Sequence, residues 1–256
     1  MKNSLILFLL ILMVTAIGLR VWTFTSVNSV LPLNGLYVDE KTYAMTPVIQ
    51  GSGGFSRPPA MFVMAMVTNA ADHPLHSRIL VSLLSFLPAI ALFIAFWKQR
   101  GSWVYICCAG LALSPFFILS GIQFLPAVPA AAFLSFSMLF AKQRKFLLAG
   151  FLAGIAALFR AELLLIPLVL FFFSFRYRLR EWGIFAAGTV LAVLPIVIIN
   201  MKAGAGPVIA VNGAENLWLG TDWELLSTPP GTEFEELVAL GERGSGGETE
   251  FLQRAF

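Results

Sequence analysis

Long apolar runs constrain the fold of this chain more than any other feature of its sequence. Runs long enough to cross a bilayer as helices occupy residues 4–24, 77–97, 102–120, 121–141 and 181–201. A helix rises about 1.5 Å per residue, so about 20 apolar residues cross the hydrocarbon core. Only 12% of the 256 residues are charged, against about 25% in a typical soluble domain. The sequence therefore predicts an all-α, polytopic bundle of transmembrane helices.

Two further apolar segments do not have the length of a single span. The run 146–175 is interrupted by Arg160 and Glu162, and its length suits two short or tilted spans. The segment 58–71 is too short to cross and predicts a re-entrant or interfacial helix in the first outer loop. Ionisable residues within an apolar run are costly and usually functional, although an ion pair that stabilises a helix break is the alternative.

The first apolar run has two interpretations. Ala16 and Gly18 lie where a signal peptidase would require small residues, so the run could be a cleaved signal peptide. The apolar stretch continues through Val21 and Trp22, which favours a helix that is retained.

The distribution of charge predicts the orientation of the spans. Three short basic clusters separate apolar runs, at residues 98–100, 142–145 and 176–180. Basic loops are retained in the cytoplasm. If 58–71 does not cross, seven spans place Lys2 and all three clusters on one side, and every acidic residue except Glu181 on the other side or at its border. We therefore expect a multi-pass protein of the plasma or inner membrane, with a cytoplasmic N-terminus and an extracytoplasmic site.

The composition changes near residue 202, where the chain becomes rich in glycine and glutamate. We expect a transmembrane core over 1–201, with an outer loop at 25–76, and an extracytoplasmic tail over 202–256. The net charge of +3 is small and the sequence has no nucleic-acid motif, so no nucleic-acid partner is expected. Cys107 and Cys108 lie inside an apolar run and are interpreted as core or lipid-facing residues.

Two adjacent carboxylates, Asp39 and Glu40, follow the first apolar run in the stretch "LYVDEKTY". One interpretation is a solvated turn. The other is an acid–base pair, or a pair that holds a divalent cation, because carboxylates accept protons from hydroxyls and bind hard cations. A divalent cation is thus a candidate cofactor, and no other cofactor is indicated.

Two arginines lie near the predicted outer interface. Arg57 precedes the pair Pro58–Pro59, which suits the first turn of a helix, so Arg57 is expected at a rigid helix start. It could anchor that helix to headgroups or clamp a phosphate. Arg78, at the start of the second span, is interpreted as an interface anchor.

Polar residues elsewhere on the predicted outer face have two interpretations as well. The stretch "NGAENLWLG" combines turn formers with an aromatic residue. It could anchor a turn at the interface, or form a lid in which Asn212, Asn216 and Trp218 contact a sugar. His73 and His76 flank Pro74 and are interpreted as surface residues, because a metal site would need more ligands.

Six segments in order make the chain similar to a known class of enzyme. They are "YVDEKTY", "SRPPAMF", "HSRILVSLLSFLPAIALFIAFWKQR", "LALSPFFILSGIQFLPAVPAAAFLSF", "LLAGFLAGIAALFRAELLLIPLVL" and "VNGAENLWLGTD". Together they cover most of residues 1–225, and the chain resembles the GT-C glycosyltransferases that use polyprenyl-phosphate sugars. The nearest types are the protein O-mannosyltransferases and the aminoarabinose-transferase-like enzymes.

The resemblance implies a function and roles for particular residues. A sugar would pass from a polyprenyl or dolichyl phosphate to a hydroxyl or amine of a glycan, lipid or protein at the extracytoplasmic face. Asp39 would be the catalytic base and Glu40 its partner, while Arg57 and Arg160 would lie near the lipid phosphate. The remaining residues expected to contact substrate are Tyr43, Glu162, Asn212, Asn216 and Trp218.

Two departures from the family keep other functions open. Relatives often carry an acid in a context like "LPEVP", where this chain has "LPAVP" with Ala127. Relatives also have more spans, so the chain could be truncated, degenerate, or half of a split enzyme completed by a second subunit. The alternative function is a non-catalytic membrane protein that binds or moves a lipid-linked sugar. A transporter is disfavoured because transport sites usually lie at mid-membrane.

Overall fold

The computed structural model describes residues 2–30, 58–96, 102–165 and 179–210. All regular structure in these ranges is helical, which confirms the all-α class. A 3₁₀ turn, Ala161–Leu165, follows α8. The α-helices are α1 Lys2–Val30, α2 Ala60–Thr68, α3 Pro74–Leu84, α4 Leu87–Phe96, α5 Ser102–Ala112, α6 Pro115–Gly121, α7 Ala127–Lys142, α8 Phe146–Phe159 and α9 Leu179–Lys202.

Four helical segments in the described ranges are long and apolar enough to cross a membrane. They are Leu10–Asn28, Pro74–Phe96, Trp103–Gly121 and Leu179–Lys202. α7 and α8 are apolar but shorter. The nine residues of α2 extend only about 14 Å, less than half of a hydrocarbon core of about 30 Å. Seven spans and their orientation therefore remain predictions.

Prolines divide two of the membrane-length segments. α3 and α4 are separated at Ser85 and Phe86, because Pro88 has no N–H to donate to the carbonyl four residues earlier. α5 and α6 are separated just before Pro115, and the freed Leu111 carbonyl instead accepts the Ser114 N–H at 3.4 Å.

One expected boundary is wrong. The apolar run 121–141 was expected to be one span, but α6 ends at Gly121 and α7 begins only at Ala127. The intervening residues form a corner in which Ile122 and Phe124 are buried. Apolarity here reflects burial within the bundle and not helix formation.

The central packing of the first compact unit involves α7, α8 and the first part of α9. α7 and α8 form a helical hairpin, in which the Ser137 hydroxyl donates to the Ala149 carbonyl at 2.8 Å. α8 and α9 approach closely through glycines: a Cβ added at Gly150 would lie 1.8 Å from the Phe185 carbonyl oxygen. A Cβ at Gly188 would lie 2.2 Å from the Leu147 carbonyl oxygen. Small residues at such interfaces let helix backbones meet without side chains between them.

The first unit has two distinguishable ends. At the end we call the basic end, the Lys142 ammonium donates to the Ala95 carbonyl at the end of α4. Beside it, Arg144 in the α7–α8 turn pairs with Glu181 at the start of α9, at 2.8 Å. We call the other end the opposite end. The segment that begins with α3 finishes at the basic end, and α8 begins there, so the start of α3 and the end of α8 lie at the opposite end. The end of α6 lies there too, because Arg78 of α3 contacts Ile122.

The described residues form two compact units, the first reaching Pro195 and the second comprising residues 196–210. In the second unit the Asn200 amide donates to the Val208 carbonyl at 2.8 Å and to the Ile209 carbonyl at 3.1 Å. Gly204 and Gly206 adopt positive φ angles of 84° and 82° in the intervening turn.

Candidate functional site

The end of α8 carries the ion pair that the sequence singles out. Arg160 ends the helix with an extended backbone, φ −143° and ψ 105°, and its N–H still donates to the Ala156 carbonyl. Its Nε and Nη2 both lie 2.5 Å from Oε1 of Glu162 in the following 3₁₀ turn. The expected interruption at Arg160 is therefore present, and the two charged residues pair across it.

This ion pair is accessible. The side chains of Arg160 and Glu162 are 47% and 55% exposed. An exposed pair of this kind contributes only about 0–1 kcal/mol to stability. The geometry fits a pair that stabilises the helix break, and it also leaves the guanidinium accessible to an anion that approaches this end.

The short helix α2 begins directly after the double proline. Pro59 is its N-cap residue, with φ −79° and ψ −16°, and the helix runs from Ala60. α2 packs against α3 and α8. Near its end, the Thr68 and Ser77 hydroxyls lie 2.6 Å apart, which places α2 beside the first turn of α3 at the opposite end. The last turn of α2 therefore lies at the opposite end of the bundle.

The interpretation of Arg78 as an anchor at the membrane surface is wrong. Its side chain is only 1% exposed, and Nη1 donates to the Ile122 carbonyl at 3.1 Å. Ile122 is the residue that caps α6. Arg78 thus links α3 to the corner after α6, and burial excludes the snorkelling conformation that an interface anchor requires.

Arg20 is a buried charged residue that the sequence reasoning missed. Its side chain is 3% exposed, and Nε and Nη2 both donate to the Ser85 hydroxyl, at 3.0 and 2.9 Å. Nη1 donates to the carbonyls of Ala16 and Ala112, at 3.1 and 2.9 Å. The guanidinium carbon lies 3.9 Å from the centre of the Phe86 ring. An arginine inside an otherwise apolar run was the available signal.

The acceptors around Arg20 come from the two proline breaks. Ser85 lies at the α3–α4 break and Ala112 is the last residue of α5, just before the α5–α6 break. Both residues lie at the midpoints of their membrane-length segments, and Arg20 lies near the middle of its own. Arg20 therefore joins three candidate spans at mid-depth through neutral acceptors.

Most of the predicted site residues lie outside the described residues, so their positions relative to Arg160 remain predictions. These residues are Asp39, Glu40, Tyr43, Arg57, Asn212, Asn216 and Trp218. The structure brings together only Arg160 and Glu162 of the predicted set. Ala127, where relatives often carry an acid, is the first residue of α7.

The histidines and cysteines have the environments expected from the sequence. His73 and His76 are exposed, with ring centroids 5.1 Å apart. Cys107 is exposed and Cys108 is buried. Within the described ranges, no group of three or more histidine, cysteine or acidic side chains could hold a metal ion. A divalent cation at Asp39 and Glu40 is a hypothesis about residues outside those ranges.

Over the described residues, fold and composition define a helical protein with four segments long and apolar enough to cross a membrane and a charged pair at one end of its bundle. Comparisons with protein-family models, with curated proteins and with solved structures found no match for this chain.

Proposed function

We propose that this chain is an integral-membrane glycosyltransferase of the GT-C type, which transfers a sugar from a polyprenyl phosphate at the extracytoplasmic face. The observation that supports this most is the accessible Arg160–Glu162 pair at the opposite end, far along α8 from the basic turn. The last turn of α2 lies beside the first turn of α3 at that same end.

In the proposed reaction, the prenyl chain of the donor lies in the membrane and its phosphate lies at the interface. Asp39 accepts the proton of the acceptor hydroxyl or amine. The acceptor atom attacks the anomeric carbon, the bond from that carbon to the phosphate oxygen breaks, and configuration inverts. Arg57 and Arg160 stabilise the negative charge that the departing phosphate gains. Cleavage of the activated glycosyl phosphate supplies the driving force, so no nucleotide is required.

Arg160 can serve this role because its present partner is weakly held. Breaking an exposed ion pair costs about 0–1 kcal/mol, while a charge-assisted contact to phosphate can be bidentate. Glu162 would orient the guanidinium before the donor arrives. Glu40, Tyr43 and the segment with Asn212, Asn216 and Trp218 would contact the sugar or the acceptor.

Two buried arginines in this unit, Arg20 and Arg78, do not fit the role of phosphate ligand. Arg20 lies at mid-depth, with contacts to Ser85, Ala16 and Ala112 that occupy its nitrogens. Arg78 is buried against the corner after α6. Arg160 is accessible and lies at the opposite end, whereas the exposed Arg144 and Arg180 lie at the basic end, in the turn before α8 and at the start of α9.

A transfer assay in membranes with labelled polyprenyl-phosphate sugars tests the proposal. The chain is assayed alone and together with candidate partner subunits. Asp39→Asn should abolish transfer and leave expression and binding of the lipid-linked sugar intact, because the amide cannot accept the proton. Asp72→Asn is the matched control, since Asp72 is exposed in a turn and accepts a hydrogen bond from Asn69. Near-normal turnover by Asp39→Asn would exclude Asp39 as the base.

The second candidate is a non-catalytic protein that binds or moves a lipid-linked sugar. Ala127 favours it, because a carboxylate that relatives often carry is missing at the start of α7. Binding of labelled donor with no transfer under any partner combination would support this candidate over the enzyme.

A further inference from the structure

A sizeable cavity lies inside the first unit next to the basic end. Its volume is about 580 Å³; it is partly open and is lined by α4, the α5–α6 segment, α7 and the first turns of α8 and α9. Its walls are almost entirely apolar, and include Leu92, Phe117, Met138, Leu139 and Phe185. Small-molecule sites typically have volumes of about 300–1,000 Å³ and apolar walls with a few placed polar groups, so the cavity has the dimensions of a ligand site.

One positive charge lies at the end of this cavity. Of the described residues that line it, Lys142 alone has an ionisable side chain. Its ammonium contacts neutral groups: it donates to the Ala95 carbonyl at 2.5 Å and lies 3.3 Å from the centre of the Phe96 ring. The neighbouring Glu181 carboxylate pairs with Arg144 instead, so it does not neutralise Lys142.

The position of Lys142 corresponds to the headgroup level of a bilayer. Lys142 is the last residue of α7 and contacts the end of α4, which terminates the membrane-length segment Pro74–Phe96. The cavity extends from there toward the middle of the bundle, past Pro88 and Leu111. An apolar cavity beginning at a cation complements an amphiphile that has an anionic head and a hydrocarbon chain.

We propose that this cavity binds one acyl chain of an anionic membrane phospholipid, with its phosphate against Lys142. The acyl chain is already in an apolar environment in the bilayer, so the cavity stabilises it by packing contacts and not by removal from water. A lysine near the membrane surface contributes about 1 kcal/mol of attraction for an anionic headgroup. The site lies at the basic end and not at the Arg160 end, so it does not depend on the proposed glycosyltransferase function.

The first test measures headgroup preference with the purified full chain. Native mass spectrometry in detergent is titrated with phosphatidylglycerol and with phosphatidylcholine that carry the same acyl chains. We expect tighter binding of phosphatidylglycerol. Lys142→Gln should reduce that preference about fivefold, which is the ratio equivalent to about 1 kcal/mol. Lys145→Gln is the matched control, because it removes a charge from the same turn but Lys145 does not line the cavity.

The second test fills the cavity. Ala95→Phe places a ring in the cavity and should abolish retention of both lipids. Ile94→Phe is its control, because Ile94 is the adjacent residue of α4, is 48% exposed and does not line the cavity. Thermal unfolding of each variant shows that it is folded.

Three outcomes would overturn the proposal. Equal binding of the two lipids by the wild type would show that no headgroup is recognised. Equal losses in Lys142→Gln and Lys145→Gln would show a general surface attraction. Unchanged lipid retention by folded Ala95→Phe would place the lipid elsewhere, whether on the outer surface or between two copies of the chain.

Discussion

Arg20 and Arg160 both interrupt apolar sequence, yet the structure holds them in opposite ways. Arg20 is 3% exposed and contacts a hydroxyl, two carbonyls and an aromatic ring from three candidate spans. Arg160 has a side chain that is 47% exposed, and it pairs with Glu162 two residues away. The first arginine joins distant segments at mid-depth, whereas the second makes a local contact at a helix end.

This difference distinguishes an arginine with a structural role from an arginine that could bind a ligand. The contacts of Arg20 cover most of its donors, and they depend on carbonyls and a hydroxyl at two proline breaks. Replacing such a contact disturbs several helices at once. The contact of Arg160 can open at little cost, and a ligand could then take the place of the carboxylate. An ionisable residue in a membrane segment is therefore informative only together with what it contacts.

The largest effect is expected at Arg20. Arg20→Lys should lower the free energy of unfolding by about 3 kcal/mol, because the ammonium keeps the desolvation cost but cannot reach both Ser85 and Ala112. Arg20→Met removes the charge together with its hydrogen bonds and should cost less. Titration of the detergent-solubilised protein with a denaturing detergent measures the free energy of unfolding of both variants. A variant with lysine as stable as one with methionine would contradict the joint role of charge and geometry.

A smaller effect is expected where α8, which ends at Arg160, packs against α9. This interface is held by close backbone approach and not by a polar side chain. Gly188→Ala should destabilise by about 2 kcal/mol, because its Cβ would lie 2.2 Å from the Leu147 carbonyl oxygen. Gly183→Ala, on the same helix, meets no atom within 4 Å and should be neutral or stabilising. Equal thermal unfolding midpoints for the two variants would mean that the helices do not meet at Gly188.

The smallest effect on stability is expected at Arg160 itself. Arg160→Gln should change the free energy of unfolding by less than about 1 kcal/mol, since the pair is exposed. Glu162→Gln is the matched variant and should behave alike. If Arg160 binds phosphate, Arg160→Gln should lower donor binding while the free energy of unfolding stays nearly unchanged. Donor binding and unfolding are measured on the same sample. A loss as large as that of Arg20→Lys would make Arg160 a structural residue.

Much of the helical pattern could be predicted from apolarity alone. The run 77–97 corresponds to α3 and α4, the short helix after Pro59 was expected as a non-spanning helix, and the break at Arg160 is present. The start of α7 was placed six residues too early because buried corner residues such as Phe124 are as apolar as helix residues. Apolarity indicates burial, and it does not distinguish a helix from a buried turn.

The environments of individual arginines could not be predicted. The acceptors of Arg20, Ser85 and Ala112, are 65 and 92 residues away in the chain. Arg78 was interpreted as a surface anchor because its position near a span end is visible in the sequence, while its contact with Ile122, 44 residues away, is not. Long-range partners of this kind follow from helix packing, which cannot be inferred from the pattern of apolar residues in one sequence.

The proposed glycosyltransferase requires that the acidic pair near residue 40 lie at the same end of the bundle as Arg160. Distances between spin labels test it most directly, in a chain whose two cysteines are replaced by serine. Labels at Lys41 and Leu164 should lie well within about 30 Å, the thickness of the hydrocarbon core. Labels at Lys41 and Gln143 should lie farther apart, because the 14 residues of α8 separate the two ends by about 20 Å. A shorter distance from Lys41 to Gln143 than to Leu164 would place the acidic pair at the basic end and contradict the proposed glycosyltransferase.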